Sequence, residues 1–332
     1  KEDGTPLTDS MGNTIATYDQ DDIKEMARVF TGWTYANADG SAVTKKNVPY
    51  YAAPMANFPG TATTGHDVDP KTLVDDVALP AGQSAVQDLN SAVHTVFMHP
   101  NTPVFISKQL IQKLVTGTPS PAYVQRIVNV FKNNGAGVRG DLRAVVRAIL
   151  LDPEARGSGD KGDSFGTLRE PVFVVTSIVR ALSGVTDGST LSDLTGALGQ
   201  RVYYSPTVFN YFQPDTTVQV QAKSLNEPEF GIHDSNTAFG RANLVYRLIY
   251  QGVGEDANLD GSIGTKVNTQ QFESAADDPT TLVNTVSAAL TAGTLPTAAR
   301  DTIAAAVAAI ASNPDPTKPQ WRTDRARMAA YL

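Results

Sequence analysis

Apolar positions along this chain recur mainly at three- and four-residue spacing, the period of an α-helix with one buried face. Ile23, Met26, Ala27 and Phe30 form the first such stripe. Asp19 precedes it as an N-cap, and Asp21 and Asp22 fall in the first turn, where carboxylates meet the positive end of the helix dipole. Thr31-Gly32-Trp33 ends it, with glycine as the stop signal. Four more helices follow. Residues 84–98 carry Val86, Leu89, Val93, Val96 and Phe97; residues 102–116 carry Ile106, Leu110, Ile111, Leu114 and Val115. Residues 121–133 stack Tyr123, Ile127 and Phe131, and residues 139–151 align Leu142, Val145, Val146, Ile149 and Leu150. Short linkers rich in proline, glycine and asparagine make these helices antiparallel neighbours.

Further helical patterns start near Arg169, with Pro171 in the first turn, and at 189–200, 235–251, 269–276, 279–292, 295–312 and 321–332. Two stretches break the period. Residues 36–84 are rich in Gly, Pro, Asn and Thr, with Tyr50-Tyr51 and Asn57-Phe58 as short strand candidates. Residues 202–232 hold Pro206, Pro214 and Pro228 among aromatics and read as a wrapping loop. Gly157–Asp163 reads as a surface loop. The expectation is one mainly α-helical domain over residues 1–332, an antiparallel multi-helix domain with two long ordered loops.

Composition narrows the function. The 332 residues are 41% hydrophobic, enough for a sizeable core, and only 18% charged, with a net charge of −7. The 27 Lys and Arg are scattered with no basic run, whereas a nucleic-acid role needs a clustered basic face to neutralise phosphates, so none is expected. No apolar run reaches the ~20 residues of a spanning helix. Zero cysteines excludes thiolate catalysis, disulfides and cysteine-ligated metals.

Two local clusters can carry chemistry. Gly65-His66-Asp67-Val68-Asp69-Pro70-Lys71 gathers an imidazole, two carboxylates and an ammonium within seven residues. His66 with Asp67 or Asp69 can hold a metal or form a base and its orienting partner, and Lys71 can neutralise an anion. The same residues can equally be structural. Asp67 would cap a turn, His66 would bond the backbone, and Lys71 would pair with a carboxylate. The second cluster is Asp256-Ala257-Asn258-Leu259-Asp260-Gly261-Ser262-Ile263. Oxygen ligands at Asp256, Asn258, Asp260 and Ser262, with glycine at the bend, follow the logic of a calcium loop, but Val267 stands where the bidentate glutamate belongs. A weak structural calcium site and an ion-free acidic turn both fit. Trp33, Tyr35, Tyr50, Tyr51 and Phe58 flank the first cluster, where they can stack on sugar rings of a polysaccharide or anchor the loop. His94, His99 and His233 are weaker candidates; Asp234 beside His233 suits an N-cap.

Several segments together resemble a known bacterial family. Asp21-Asp22-Ile23-Lys24-Glu25-Met26-Ala27-Arg28-Val29-Phe30-Thr31-Gly32-Trp33 is similar to the "DV-E-AR-FTGW" signature of the family called domain of unknown function 1800. His66-Asp67 with Lys71 is similar to its "HD-G-K" loop, with Asp69 where that family usually has glycine. Leu168-Arg169-Glu170-Pro171-Val172, Ser205-Pro206-Thr207-Val208-Phe209-Asn210-Tyr211-Phe212-Gln213-Pro214 and Glu227-Pro228-Glu229-Phe230 extend the match. The resemblance implies the C-terminal portion of an exported, largely helical protein, cut at both ends. A missing N-terminal segment or a partner chain would cover it, and a sulfatase-like protein would be its neighbour. It implies no established activity. The leading expectation is an extracellular or periplasmic binding and assembly module. The alternatives are a metal-assisted hydrolase of an extracellular polymer, centred on His66, Asp67 and Asp69, or a helper of the sulfatase-like partner.

Overall fold

A computed structural model describes residues 1–43, 50–58, 65–157, 165–220 and 223–332. The surface loop expected at Gly157–Asp163 therefore lies almost wholly outside the described residues. The fold is mainly α, and the chain divides into two compact units, Lys1–Asp163 and Ser164–Leu332.

In the first unit, α1 spans Gln20–Val29 and α2 Ala85–Met98, with α3 (Thr102–Leu114), α4 (Pro121–Lys132), α5 (Leu142–Leu151) and the short α6 (Pro153–Arg156) behind them. Capping chemistry sets the starts. Asp19 closes a capping box with Asp22, Ser84 closes one with Gln87, and Ser120 and Asp141 accept from the third amide of their helices. Val104 and Ile111 of α3, Tyr123, Ile127 and Phe131 of α4, and Val145 and Ile149 of α5 make the main core. Tyr123 donates its hydroxyl to the Ile149 carbonyl at 2.7 Å, so the buried phenol is satisfied.

The long 36–84 stretch is less irregular than its composition suggests. β1 (Trp33–Thr34) pairs antiparallel with β2 (Ala56–Asn57), and β3 (Lys71–Leu73) with β4 (Val77–Leu79). Asp75 and Asp76 turn the second hairpin at φ 60° and 56°, a left-handed conformation that Asp tolerates better than most residues. Tyr50-Tyr51 forms no strand; Tyr51 meets the Tyr35 ring edge-on at 5.3 Å instead.

α2 departs most from its pattern. Its repeat marks Val86, Leu89, Val93, Val96 and Phe97 as the face to bury. The structure instead buries Ala85, Asp88, Ala92 and Thr95. Val86, Val93, Val96 and Phe97 remain 53%, 58%, 46% and 38% exposed. Two interactions outweigh the stripe. Asp88 meets the Lys71 ammonium and the His66 ring, described below, and the small Ala92 closes against Val29, Leu73 and Leu79 in a second core.

In the second unit, α7 spans Pro171–Ala181, α8 Ser189–Leu194, α9 Ser235–Tyr250, α10 Pro279–Thr291, α11 Thr297–Ala308 and α12 Gln320–Tyr331. β5 (Val185–Thr186) pairs with β8 (Thr265–Lys266), and β6 (Thr217–Val220) with β7 (Lys223–Asn226). The 202–232 loop therefore carries a hairpin. Leu182, Phe272, Leu282, Val286, Val307 and Trp321 belong to one core, and Val175, Val179, Leu198, Leu244 and Leu248 to another.

Candidate functional site

The residues of the first cluster meet where α1 ends. Gly32 has φ 76°, and a Cβ there would lie 2.6 Å from the His66 amide nitrogen and 2.8 Å from the Gly65 carbonyl carbon. Only glycine admits the 65–71 loop this close. Thr31 then stitches the two segments: its hydroxyl donates to the Arg28 carbonyl at 2.6 Å and accepts from the Asp67 amide at 2.8 Å.

His66 is buried. Its Nδ1 lies 3.2 Å from the Thr31 carbonyl, and its Nε2 lies 3.1 Å from Asp88 Oδ2. The same oxygen takes the Lys71 ammonium at 2.8 Å. Lys71 uses its remaining donors on the Asp67 and Asp69 carbonyls, at 2.5 and 3.0 Å. Asp88 is 0% exposed, and its second oxygen, Oδ1, has no hydrogen-bond partner among the described residues. Over this buried trio lies a surface layer. Arg28 clasps Asp67 through Nε and Nη2 at 2.8 and 3.2 Å and holds both Glu25 oxygens through Nη1. Glu25 accepts the Thr72 amide, which ties α1 to β3. Asp67 Oδ1 accepts the Asp69 amide at 2.9 Å, an Asx turn.

Electrostatics follow this geometry. The Arg28 guanidinium holds the Asp67 carboxyl at about 2, against the opposing pull of burial. Arg28 is raised in turn, first by Asp67 and then by Glu25. A carboxylate depressed on folding stabilises above its unfolded value and loses that contribution as pH falls through its folded value. The Asp67 side chain is 24% exposed, so the contribution is at most on the order of 2 kcal/mol. The unfolding free energy of the first unit should fall between about pH 4 and pH 2. Arg28→Met should flatten that segment of a pH series followed by Trp33 fluorescence. An unchanged slope in the variant would remove Arg28 as the cause.

The structure therefore brings His66, Asp67 and Lys71 together, and leaves Asp69 taking part only through its backbone. The reading of the 65–71 segment alone missed Asp88, Arg28, Glu25 and Thr31. Asp88 carried one signal: a carboxylate flanked at helical spacing by the small residues Ala85 and Ala92, rather than on the charged side of its helix.

The second cluster is pinned from outside its own segment. Ser262 accepts the Asp256 amide at 2.8 Å and donates to Asp187 Oδ2 at 2.6 Å. That oxygen also accepts the Ile263 and Gly264 amides at 2.7 and 3.0 Å, while Oδ1 takes the amide and hydroxyl of Ser189. The Ser262 bond holds the Asp187 carboxyl well below the usual range, and the amides of Ser189 and Ile263 add to it. Asp256 accepts the Asn258 amide, and Asp260 lies on the exposed rim of the depression lined by residues 255–262. Among the described residues no three acidic or histidine side chains converge as a metal-ligand group. Asp187 thus supplies a tether of the kind a structural calcium ion would give. Asp187→Asn is expected to lower the thermal midpoint both in calcium and in a chelator. A calcium-dependent rise would favour the ion.

The other histidines hold local positions. His99 Nδ1 accepts the Asn101 amide, His233 packs edge-on against Phe230, and neighbouring Asp234 caps α9.

The signatures that meet at the first cluster are those of a recognised family. A scan of family models matches the one described as "Protein of unknown function (DUF1800)" over residues 9–332. The chain belongs to the DUF1800 family. Searches of the curated proteins and of the solved structures return no match. The DUF1800 segments around Arg28-Thr31-Gly32, His66-Asp67 and Lys71 are thus the residues that lock α1, the loop and α2 into one unit. No helix among the described residues is long and apolar enough to cross a membrane.

Proposed function

We propose that this DUF1800 protein is a non-catalytic binding and assembly module acting outside the cytoplasm, and that its docking face lies on the first unit. The observation that carries this is the outward-facing stripe of α2. Val93, Val96 and Phe97 form one wall of a trough of about 450 Å³. Met26 and Phe30 of α1, Ile106 of α3, Phe131 of α4 and Leu142 beyond Gly140 complete it. Phe30 and Leu142 are themselves about half exposed. Exposed apolar surface gathered in one trough is the mark of a docking site.

Its chemistry selects the occupant. Among the described residues of the lining, Thr102 alone has a polar side chain. A strand or loop seated there would bury backbone groups with nothing to bond them. A helix satisfies its own backbone, so the occupant that fits is the apolar face of an amphipathic helix from outside the described residues. In support of the non-catalytic reading, both His66 nitrogens face protein oxygens and the Lys71 ammonium is fully engaged. The polar but weakly charged composition, 18% charged, supports an exported protein.

Replacing Val93 and Val96 by glutamate tests the stripe. Side chains not spent on the core should change unfolding free energy by no more than about 0.5 kcal/mol each, against 2–5 kcal/mol for a core valine made polar. The same double variant should abolish the enhancement of an anilinonaphthalene sulfonate dye. A variant that unfolds would place the stripe in the core; unchanged dye binding would place the apolar face elsewhere.

A further inference from the structure

Two arginines stand at one end of the apolar trough, the end closed by Phe97, Phe131, Gly140 and Leu142. Arg139 packs against the first two: its guanidinium carbon lies 5.5 Å from the Phe97 ring centre and 5.6 Å from that of Phe131. The next residue, Gly140, admits the Phe97 ring, because a Cβ there would lie 2.6 Å from Phe97 Cε2. Arg143 follows Leu142 in the chain and is exposed. It falls in the first turn of α5, where a cation opposes the helix dipole, so local helix stability does not account for it.

Elsewhere in this unit arginine spends its charge on acids. Arg28 clasps Asp67 and Glu25, and Arg126 clasps Asp152 at 2.7 and 2.8 Å. Arg139 instead donates Nε and Nη2 to the Phe97 carbonyl at 3.2 and 2.9 Å, with Nη2 also 3.5 and 3.3 Å from the Met98 and His99 carbonyls. It thereby closes the C-terminal end of α2, but carbonyls are dipoles and leave its charge in place. Among the described residues its Nη1 has no hydrogen-bond partner, and neither Arg139 nor Arg143 forms an ion pair. The acid between them, Asp141, is engaged otherwise. Its Oδ1 caps α5 through the Ala144 amide at 3.1 Å, and its Oδ2 accepts the Asn134 side-chain amide at 2.8 Å. The Asn134 bond is the first cause that lowers the Asp141 carboxyl, and the Arg143 charge is the last. Two cations beside one occupied carboxylate leave this end of the trough positive.

We propose that the helix seated in the trough is acidic, with Asp or Glu along the edge of its apolar face that meets Arg139 and Arg143. This rests on the docking reading above and adds the partner's charge to it. The apolar floor supplies the affinity. The two rim cations select among partners, because exposed charges at the edge of an interface contribute more to choice and capture than to tightness. Arginine suits that position: its guanidinium is weakly hydrated and lies flat on aromatic rings while still offering donors to a carboxylate. The chain as a whole has a net charge of −7, so long-range attraction would favour a basic peptide. A preference for an acidic one therefore reports this end of the trough and not the overall surface.

The test is titration of the full chain with three labelled helical peptides that share one apolar face and carry glutamate, glutamine or lysine at the flanking positions. At 0.1 M salt the glutamate peptide should bind roughly tenfold more tightly than the lysine peptide, with glutamine between them. The gap should shrink in 1 M salt, where screening shortens the reach of a charge from about 10 Å to about 3 Å. Arg143→Glu removes a cation from the first turn of α5, so its melting midpoint should equal or exceed the parent's. It should narrow the glutamate-to-lysine ratio about fivefold or reverse it. Arg139→Gln should narrow the same ratio, which stays meaningful even if loss of the α2 closure weakens both peptides together. No saturable binding of any peptide by the parent overturns the docking reading and this one with it. Equal affinities, or tightest binding of the lysine peptide, leave docking standing and overturn the acidic partner. A glutamate preference unchanged in both variants overturns the assignment to these arginines. Complete displacement of the glutamate peptide by submicellar dodecanoate would make the occupant a fatty acid and overturn the helix.

Discussion

Asp88→Ala is expected to cost the first unit about 3–5 kcal/mol, the usual penalty for stripping one partner from a buried ion pair. Asp88 Oδ2 alone faces both the Lys71 ammonium and the His66 ring, and both side chains are almost wholly buried. With the carboxylate gone, Lys71 keeps its two carbonyls but loses its nearest counter-charge, leaving only Asp67 Oδ1 at 3.9 Å. Asp88→Asn keeps the shape and one oxygen and should cost less than alanine, yet most of the charge-related loss should remain. The chain has two tryptophans, Trp33 in the first unit and Trp321 in the second, so single-tryptophan versions report each unit separately. The Trp33 transition should move to lower denaturant while the Trp321 transition stays. Equal stability of Asp88→Ala and parent would mean that this cluster does not hold the loop to α2.

Gly32→Ala is the second large expectation, roughly 3 kcal/mol or more, for two separable reasons. A left-handed φ costs an L-residue about 1–2 kcal/mol wherever it occurs. At Gly32 the new Cβ also runs into the His66 and Gly65 backbone, which cannot yield without moving the loop. Gly12 and Gly40 are controls built into the chain: φ is 85° and 81°, and nothing lies within 4 Å of an added Cβ. Their alanine variants should lose only the conformational term. Unfolding free energies that match across all three sites would deny the close approach its role.

These residues also show what the sequence made readable. Asp19 and Asp234 announced their helix starts because capping is local, settled within three residues. The mainly α class followed from periodicity. His66, Asp67 and Lys71 could be singled out because they sit within seven residues of one another. Asp88 could not, because its partners belong to a distant loop and only the fold brings them in. The same fact explains α2: a period shows which side chains share a face, not which face the rest of the chain covers. Here a charged face of small residues is inside, and the valine stripe is outside. The hairpins at 71–79 and 217–226 escaped notice because strands of three or four residues are too short for an alternating pattern to stand out. Asp187 was invisible for the reason that hid Asp88: it reaches Ser262 across more than seventy residues.

The central claim is that the trough over α2 receives an amphipathic helix. Fluorescence anisotropy of a labelled eighteen-residue amphipathic helical peptide, with dodecanoate as competitor, tests it most directly. Saturable binding to the parent chain is expected, weakened tenfold or more when Val93 and Val96 are both glutamate, and not displaced by dodecanoate at submicellar concentration. Binding that the double variant leaves intact, or that dodecanoate displaces completely, would contradict the claim.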